Sequence, residues 1–342
     1  MAIVATGLAT HIANNHFRSA LLLAGFPLLL AGLLFTFFAA LAAFSQPAGY
    51  PVDWQSASMA GWQSVLRYGH WVFIAAGVWF AIAYLFHGSM MRAATGSVPI
   101  TRAQMPKIYN MLENLCIAQG VTMPAFEIID SPALNAFASG INDKTYKIVL
   151  TRGIIERLSD DELEPVIAHE LTHIINRDVR LLVISVIFVG MIGFLAEAAF
   201  RMMVYGRSPA MYGGGRRDGK GGAGAVLLLA LAVLAVGYVF SILIRFALSR
   251  RREYLADAGA VEMTKNPEGM MRALLRISGQ DKVKGMPDDV QMMCIENSHR
   301  FMGLFATHPS ISSRVAAIAE MTGTAVPDMG VSLRRGPRRP WD

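Results

Sequence analysis

Residues 169–173 read His169-Glu170-Leu171-Thr172-His173, two imidazoles four residues apart with a carboxylate beside the first. On a helix, positions i and i+4 share a face, so both rings can grip one metal ion while Glu170 reaches a water activated there. This is the equipment of metal-assisted hydrolysis with a carboxylate as general base. A zinc ion held by two His needs a third protein ligand and keeps its fourth position open. Downstream, Glu253 and Asp257 also stand four residues apart, which suits one ligand and one acceptor for the N–H of a ligand His. Asp257 as the ligand is the alternative arrangement. Glu262 is another, but it lies about two and a half turns past Glu253 and should point from the opposite side of the helix.

The elements that must hold these groups are legible around them. Ser159-Asp160-Asp161-Glu162 has the S-x-x-E form of a capping box, followed by a run with helical periodicity. Pro165 conflicts with that start, because an interior proline removes a donor and clashes with the preceding turn. Either the helix starts nearer Glu164, with Pro165 in its first turn, or it kinks there. His173 precedes the apolar segment beginning at Leu181 by eight residues, about 12 Å of helix. Glu253 follows the end of the next apolar segment, Ile244, by nine residues, about 13.5 Å. In an antiparallel hairpin the two therefore lie at similar depth.

Of the 342 residues, 54% are hydrophobic and 16% charged; the mean hydropathy is +0.40. That is too few charges for an ordinary soluble domain and too apolar for disorder. Four segments are candidates to cross a bilayer: Ser19–Phe44 (26 residues), Trp71–Phe86 (16), Leu181–Ala196 (16) and Gly221–Ile244 (24). A span needs about 20 residues, so the two short ones require flanking neutral positions. The first is too long for a signal-peptide core and reads as an uncleaved anchor. The net charge of +6 belongs to loops facing the cytoplasm rather than to a nucleic-acid surface: Arg92, Arg102, Lys107, Arg177 and Arg180 between the second and third segments, and Arg245, Arg250, Arg251 and Arg252 after the fourth. Arg201–Lys220, with five basic residues and one acid, opposes that orientation if all four segments cross. Cys116 and Cys294 form no CxxC and read as ordinary reduced thiols. The chain is thus expected to divide into a transmembrane hairpin (1–91), a first catalytic part (92–180), a second apolar hairpin with a glycine-rich basic loop (181–248), a second catalytic part (249–325) and a basic tail (326–342).

The run Val166–Ile174 with Asn176 and Asp178, together with Arg252-Glu253-Tyr254-Leu255-Ala256-Asp257-Ala258, resembles the HtpX-type membrane zinc metallopeptidases, relatives of the CAAX prenyl proteases. The stretch Asp130–Gly140 and Thr307-His308-Pro309 with Arg314 extend the resemblance over roughly residues 100 to 320, in the family's order. It implies a mainly α membrane protein with a zincin-type α+β catalytic domain on the cytoplasmic side, and a small sheet whose edge strand lies beside the motif helix. It makes His169, His173 and Glu253 the ligands of one Zn²⁺ and Glu170 the general base and acid. Asp257 orients a ligand His, Asn176 and Arg314 stand behind the ligands, and His308 is a second catalytic residue that lines the cleft and stabilises the oxyanion. Asn135, Ala136, Phe137 and Ala138 belong to the substrate-side loop, with Tyr146–Leu150 as the edge strand for an extended peptide. The activity implied is an endopeptidase of the cell inner membrane, its partners the lipid bilayer and unfolded or misassembled membrane proteins cleaved in quality control. A CAAX-type processing peptidase and a catalytically silent membrane scaffold are the alternatives; the intact Glu170 argues against the second.

Overall fold

The computed structural model describes residues 8–44, 46, 50–184, 187, 251–278, 294 and 309–328. The third apolar segment beyond its first residues, the fourth, the glycine-rich loop, His308 and the basic tail from residue 329 lie outside them. The chain divides into two compact units: Ala13–His87 with Ile184–Ala247, and Met1–Ile12, Gly88–Val183 and Leu248–Asp342.

In the first unit, helices α1 (Leu8–Phe44) and α2 (Trp54–Thr95) carry the apolar sequence. Both are long and apolar enough to cross a membrane; only 17% of the most apolar window of α1 and 11% of that of α2 are buried, so neither is the core helix of a soluble fold. Trp62, Leu66, Trp71, Ile74 and Leu85 stand exposed along α2. The second segment is longer than its apolar core suggests: α2 begins at Trp54 rather than near Trp71, so most of the polar stretch between the first two apolar segments is helical. One feature starts this part of the helix and another lets α1 pack on it. Asp53 accepts the N–H groups of Gln55 and Ser56 at 3.0 and 3.2 Å, a cap on the first turn. Gly61 lets Phe35 close in, since a Cβ there would lie 2.9 Å from the Phe35 carbonyl oxygen.

The second unit is built on a four-stranded mixed sheet: β1 (Val98–Pro99), β2 (Ala125–Ile129), β3 (Ala136–Ser139) and β4 (Lys147–Thr151), in the order β1-β2-β4-β3. Strands β2 and β4 run parallel, and the two outer pairs are antiparallel. Every residue of β4 is buried, as expected of a central strand rich in Ile, Val and Leu. This corrects the expected edge strand. Among the described strands Lys147–Leu150 is interior and Ala136–Ser139 lies at the margin. The opposite edge ends on Pro99, which offers no donor for further pairing.

Helices α3 (Pro106–Gln119), α4 (Arg152–Arg157), α5 (Asp160–Ile175), α6 (Arg251–Thr264), α7 (Pro267–Ile277) and α8 (Ile311–Thr322) follow, and after α5 the chain is helical again over 178–184. The motif helix α5 packs on α6, α7 and β3. The Glu127 carboxylate, buried on β2, is held by Lys147 at 2.8 Å, Ser97 at 2.6 Å and Arg92 at 3.3 Å. Burial alone would raise its pKa; these partners hold it below the usual value. Arg92, in the last turn of α2, lies in the Gly88–Val183 part of the chain and so belongs to the same unit as the sheet.

Candidate metal centre

Ser159 caps α5, and its N–H reaches back to Glu162 Oε2 at 3.0 Å. The capping box therefore stands, and Pro165 sits inside the helix. Proline has no N–H for the carbonyl of Asp161, four residues earlier. That oxygen instead accepts from Asn266 Nδ2 at 3.0 Å, while Asn266 Oδ1 caps α7 through the Gly269 N–H at 2.8 Å. The residue that breaks the helix ladder is thus where α7 docks. Gly269 is required there, because a Cβ would lie 2.1 Å from the Asp161 carbonyl oxygen.

One turn further on, His169 and His173 point the same way, their Nε2 atoms 3.2 Å apart and both side chains buried. Small residues bring α6 against them: Ala256 and Ala260 are fully buried, and at Gly259 a Cβ would meet Thr172 Cγ2 at 2.6 Å. This close approach carries Glu253 to the pair, with Oε2 3.7 Å from His169 Nε2 and Oε1 3.7 Å from His173 Nε2. The three residues form a buried His-His-Glu group whose ligand atoms all lie within 4.8 Å of one another.

The other ring nitrogens decide what can sit between them. His169 Nδ1 is 3.0 Å from Asp257 Oδ1, and His173 Nδ1 is 3.1 Å from Asp178 Oδ2. Ionised carboxylates only accept, so each Nδ1 carries the proton and, in neutral rings, each Nε2 presents a lone pair. Two lone pairs and a carboxylate facing one another need a cation between them. Bonds of about 2.0–2.1 Å in tetrahedral geometry place ligands roughly 3.3 Å apart, close to the spacing here. The residues fit a divalent metal.

The electrostatics are consistent with that use. Burial and Arg314 push the His169 pKa down, but the carboxylates of Asp257 and Glu253 outweigh them and raise it to about 9 without metal. Asp257 is fully buried, which alone would raise its pKa; Arg314 and His169 hold it low. Arg314 grips Asp257 with two bonds, Nε to Oδ2 at 2.9 Å and Nη2 to Oδ1 at 2.6 Å. Burial pushes the Glu170 carboxyl up, the direction that strengthens a base. Arg252, itself buried, places Nε 3.3 Å from Glu253 Oε1.

The structure brings together His169, Glu170, His173, Glu253, Asp257 and Arg314. Glu262 is exposed, which removes it as a candidate ligand. Asn176 is buried at the C-cap of α5. Asn135 opens the edge strand formed by Ala136, Phe137 and Ala138 and accepts the Ala136 N–H at 2.8 Å. His308 lies outside the described residues. Asp178 and Arg252 had no role assigned from sequence. The signal for Asp178 was its place five residues after His173, just past the helix end.

The pattern of Peptidase family M48 matches residues 102–322. This chain belongs to peptidase family M48. It is 43% identical over 323 residues to the "Protease HtpX homolog" of Bacteroides fragilis (strain YCH46), covering 92% of this chain and 98% of that protein. The "Protease HtpX homolog" of Ligilactobacillus salivarius (strain UCC118) is 34% identical over 291 residues, 76% of this chain and 96% of that one. Among solved structures, the crystal structure of S. mikatae Ste24p aligns over 90% of this chain and 67% of that one, with TM-score 0.46 and 18% identity. Membership makes the chain a metallopeptidase, and with its apolar helices a membrane metalloprotease of the HtpX kind.

Proposed function

We propose that this chain is a zinc-dependent endopeptidase of the inner membrane that cleaves unfolded or misassembled membrane proteins, with four spans and its site just inside the cytoplasmic face. The observation that carries the metal reading is the pair of Nε2 lone pairs 3.2 Å apart, each fixed by a carboxylate behind its ring. His169, His173 and Glu253 hold the Zn²⁺, which when bound supplies Lewis acidity to the scissile carbonyl and brings the pKa of water to about 7. Glu170 takes the proton of the attacking water and returns it to the leaving amine. Asp257 and Asp178 keep the ligand rings oriented, and Arg314 keeps Asp257 ionised and in place. Strand β3 packs on α5 as the last described strand of the sheet and is buried there; an extended peptide that displaces its cover would bind through its backbone, with little demand on sequence. The cytoplasmic orientation rests on the arginines and lysines after the second apolar segment and after the fourth. Asn135–Ala138 form the substrate side of the cleft, and the role of oxyanion stabiliser goes to His308, which lies outside the described residues.

Glu170→Gln tests the mechanism. The amide cannot accept the proton, so zinc should stay bound while cleavage of an unfolded membrane substrate falls by at least about 10² to 10⁴. Near wild-type turnover in that variant would refute it. Single cysteines at the exposed positions Lys144 and Ser278 should react with an impermeant thiol reagent only after permeabilisation; labelling from outside would reverse the orientation.

A further inference from the structure

Between α5 and the helix that resumes at residue 178 stands Arg177, with φ 61°. Among the described residues only Lys265 is also a non-glycine at positive φ. The left-handed region is rarely adopted by side chains branched or long at this position, and it persists where the surroundings hold it. The next residue is Asp178, whose Oδ2 lies 3.1 Å from His173 Nδ1. Without the reversal at Arg177 the chain would leave α5 on a different course, and Asp178 would not return to the ring.

The Arg177 side chain is anchored on the loop joining β3 to β4. Its Nη1 donates to Asp143 Oδ1 at 2.5 Å and to the Tyr146 hydroxyl at 3.3 Å, and its guanidinium lies 5.7 Å from the Tyr146 ring centre. The loop is itself fixed. Thr145 Oγ1 accepts the N–H groups of Ile141 and Asn142, both at 3.1 Å, while Thr145 and Tyr146 donate to the Asn142 carbonyl at 2.9 and 3.0 Å. Gly140 opens the loop at φ 120°, where a Cβ would fall 2.5 Å from the Thr145 carbonyl oxygen.

We propose that Arg177 is a positioning residue for the metal centre: latched to the β3–β4 loop, its side chain holds its own backbone left-handed, and that backbone delivers Asp178 to His173. The same latch ties the end of the edge strand to the end of the motif helix. The proposal rests on the reading of His173 as a ligand. The latch adds little to global stability, because the Arg177 and Asp143 side chains are 35% and 65% exposed and pairs so open to water contribute little.

The test is Zn²⁺ affinity of the full-length protein in detergent, measured by chelator competition, with the Co²⁺ d–d spectrum as a reporter of ligand geometry. Arg177→Ala should weaken Zn²⁺ binding by about 10-fold, the scale of losing an outer partner of a ligand His, and alter the Co²⁺ spectrum. Asp143→Ala should weaken it by about 3-fold by the same route. Arg177→Gly should stay close to wild type, since glycine adopts positive φ freely, and in that background Asp143→Ala should have no further effect. Arg177→Ala within about 2-fold of wild type, or Arg177→Gly as damaging as Arg177→Ala, would overturn the proposal; if Arg177→Ala does not fold, Asp143→Ala and the glycine pair decide it alone. His173→Ala separates the two levels. A zinc-free His173→Ala beside unperturbed Arg177→Ala refutes the latch only, whereas a fully loaded His173→Ala refutes the ligand reading beneath it.

Discussion

Gly259→Ala is expected to damage the metal centre far more than the fold. The added Cβ would stand 2.6 Å from Thr172 Cγ2 and 2.8 Å from Thr172 Oγ1, where carbon atoms at contact need about 3.5–4.0 Å. The interface is therefore short by about 1 Å. Thr172 has little freedom to yield: its hydroxyl donates to the Ala168 carbonyl at 2.8 Å, and a β-branched side chain in a helix has few rotamers. Helix α6 must retreat, taking Glu253 with it, and the 3.7 Å spacings to His169 and His173 widen. Overpacking costs about 1–3 kcal/mol, offset by about 1 kcal/mol of helix propensity gained from alanine over glycine, so the net loss of stability is small. A displacement of about 1 Å at a reacting centre costs on the order of 10² in rate. Measured side by side, urea unfolding in detergent should shift modestly while zinc occupancy and kcat/KM on an unfolded substrate drop steeply. Thr172→Ala removes both offending atoms and leaves the nearest at 3.3 Å, so the double variant should recover activity that Gly259→Ala loses. Wild-type kcat/KM in Gly259→Ala, or no recovery with Thr172→Ala, would refute the close-packing account of how Glu253 reaches the site.

Two further expectations concern the ligands themselves. Glu253→Ala should lose both zinc and activity, whereas Asp257→Ala should retain the metal with affinity lowered by about 10- to 100-fold; zinc stoichiometry showing the reverse order would make Asp257 the ligand. His169, raised to about 9 without metal, stabilises the metal-free protein fully below its ordinary pKa of about 6.5, and that contribution is lost as pH climbs through about 9. A ligand His must be neutral, so zinc binding at pH 7.5 should release a proton to buffer, visible by calorimetry in buffers of different ionisation enthalpy; an identical heat in all buffers would show His169 to be already neutral.

What could be read from the sequence was what depends on spacing along one element. The HExxH pair, the Glu253–Asp257 face and the Ser159–Glu162 cap each follow from helix geometry over three or four residues, and each stands in the structure. Pro165 misled because its compensation is not local: the Asp161 carbonyl is satisfied by Asn266, 105 residues away, and no window around the proline contains that donor. The edge strand was misplaced for the same kind of reason. Lys147–Thr151 has the stronger strand composition, but which strand lies at the edge depends on partners, and β4 is enclosed because β2 pairs with it in parallel on one side while β3 returns along the other. The short, weakly patterned Ala136–Ser139 is left at the margin of the described sheet, packed on α5. Asp178 was visible as a residue but not as a partner, because its approach to His173 depends on one residue in the left-handed region, and nothing about an arginine in sequence announces positive φ. The site was therefore legible where a regular helix sets the geometry, and obscure where a chain reversal or a distant side chain sets it. The second kind of contact is also what orients the first, through Asp178 behind His173 and through Arg314, on a separate helix, behind Asp257 and His169.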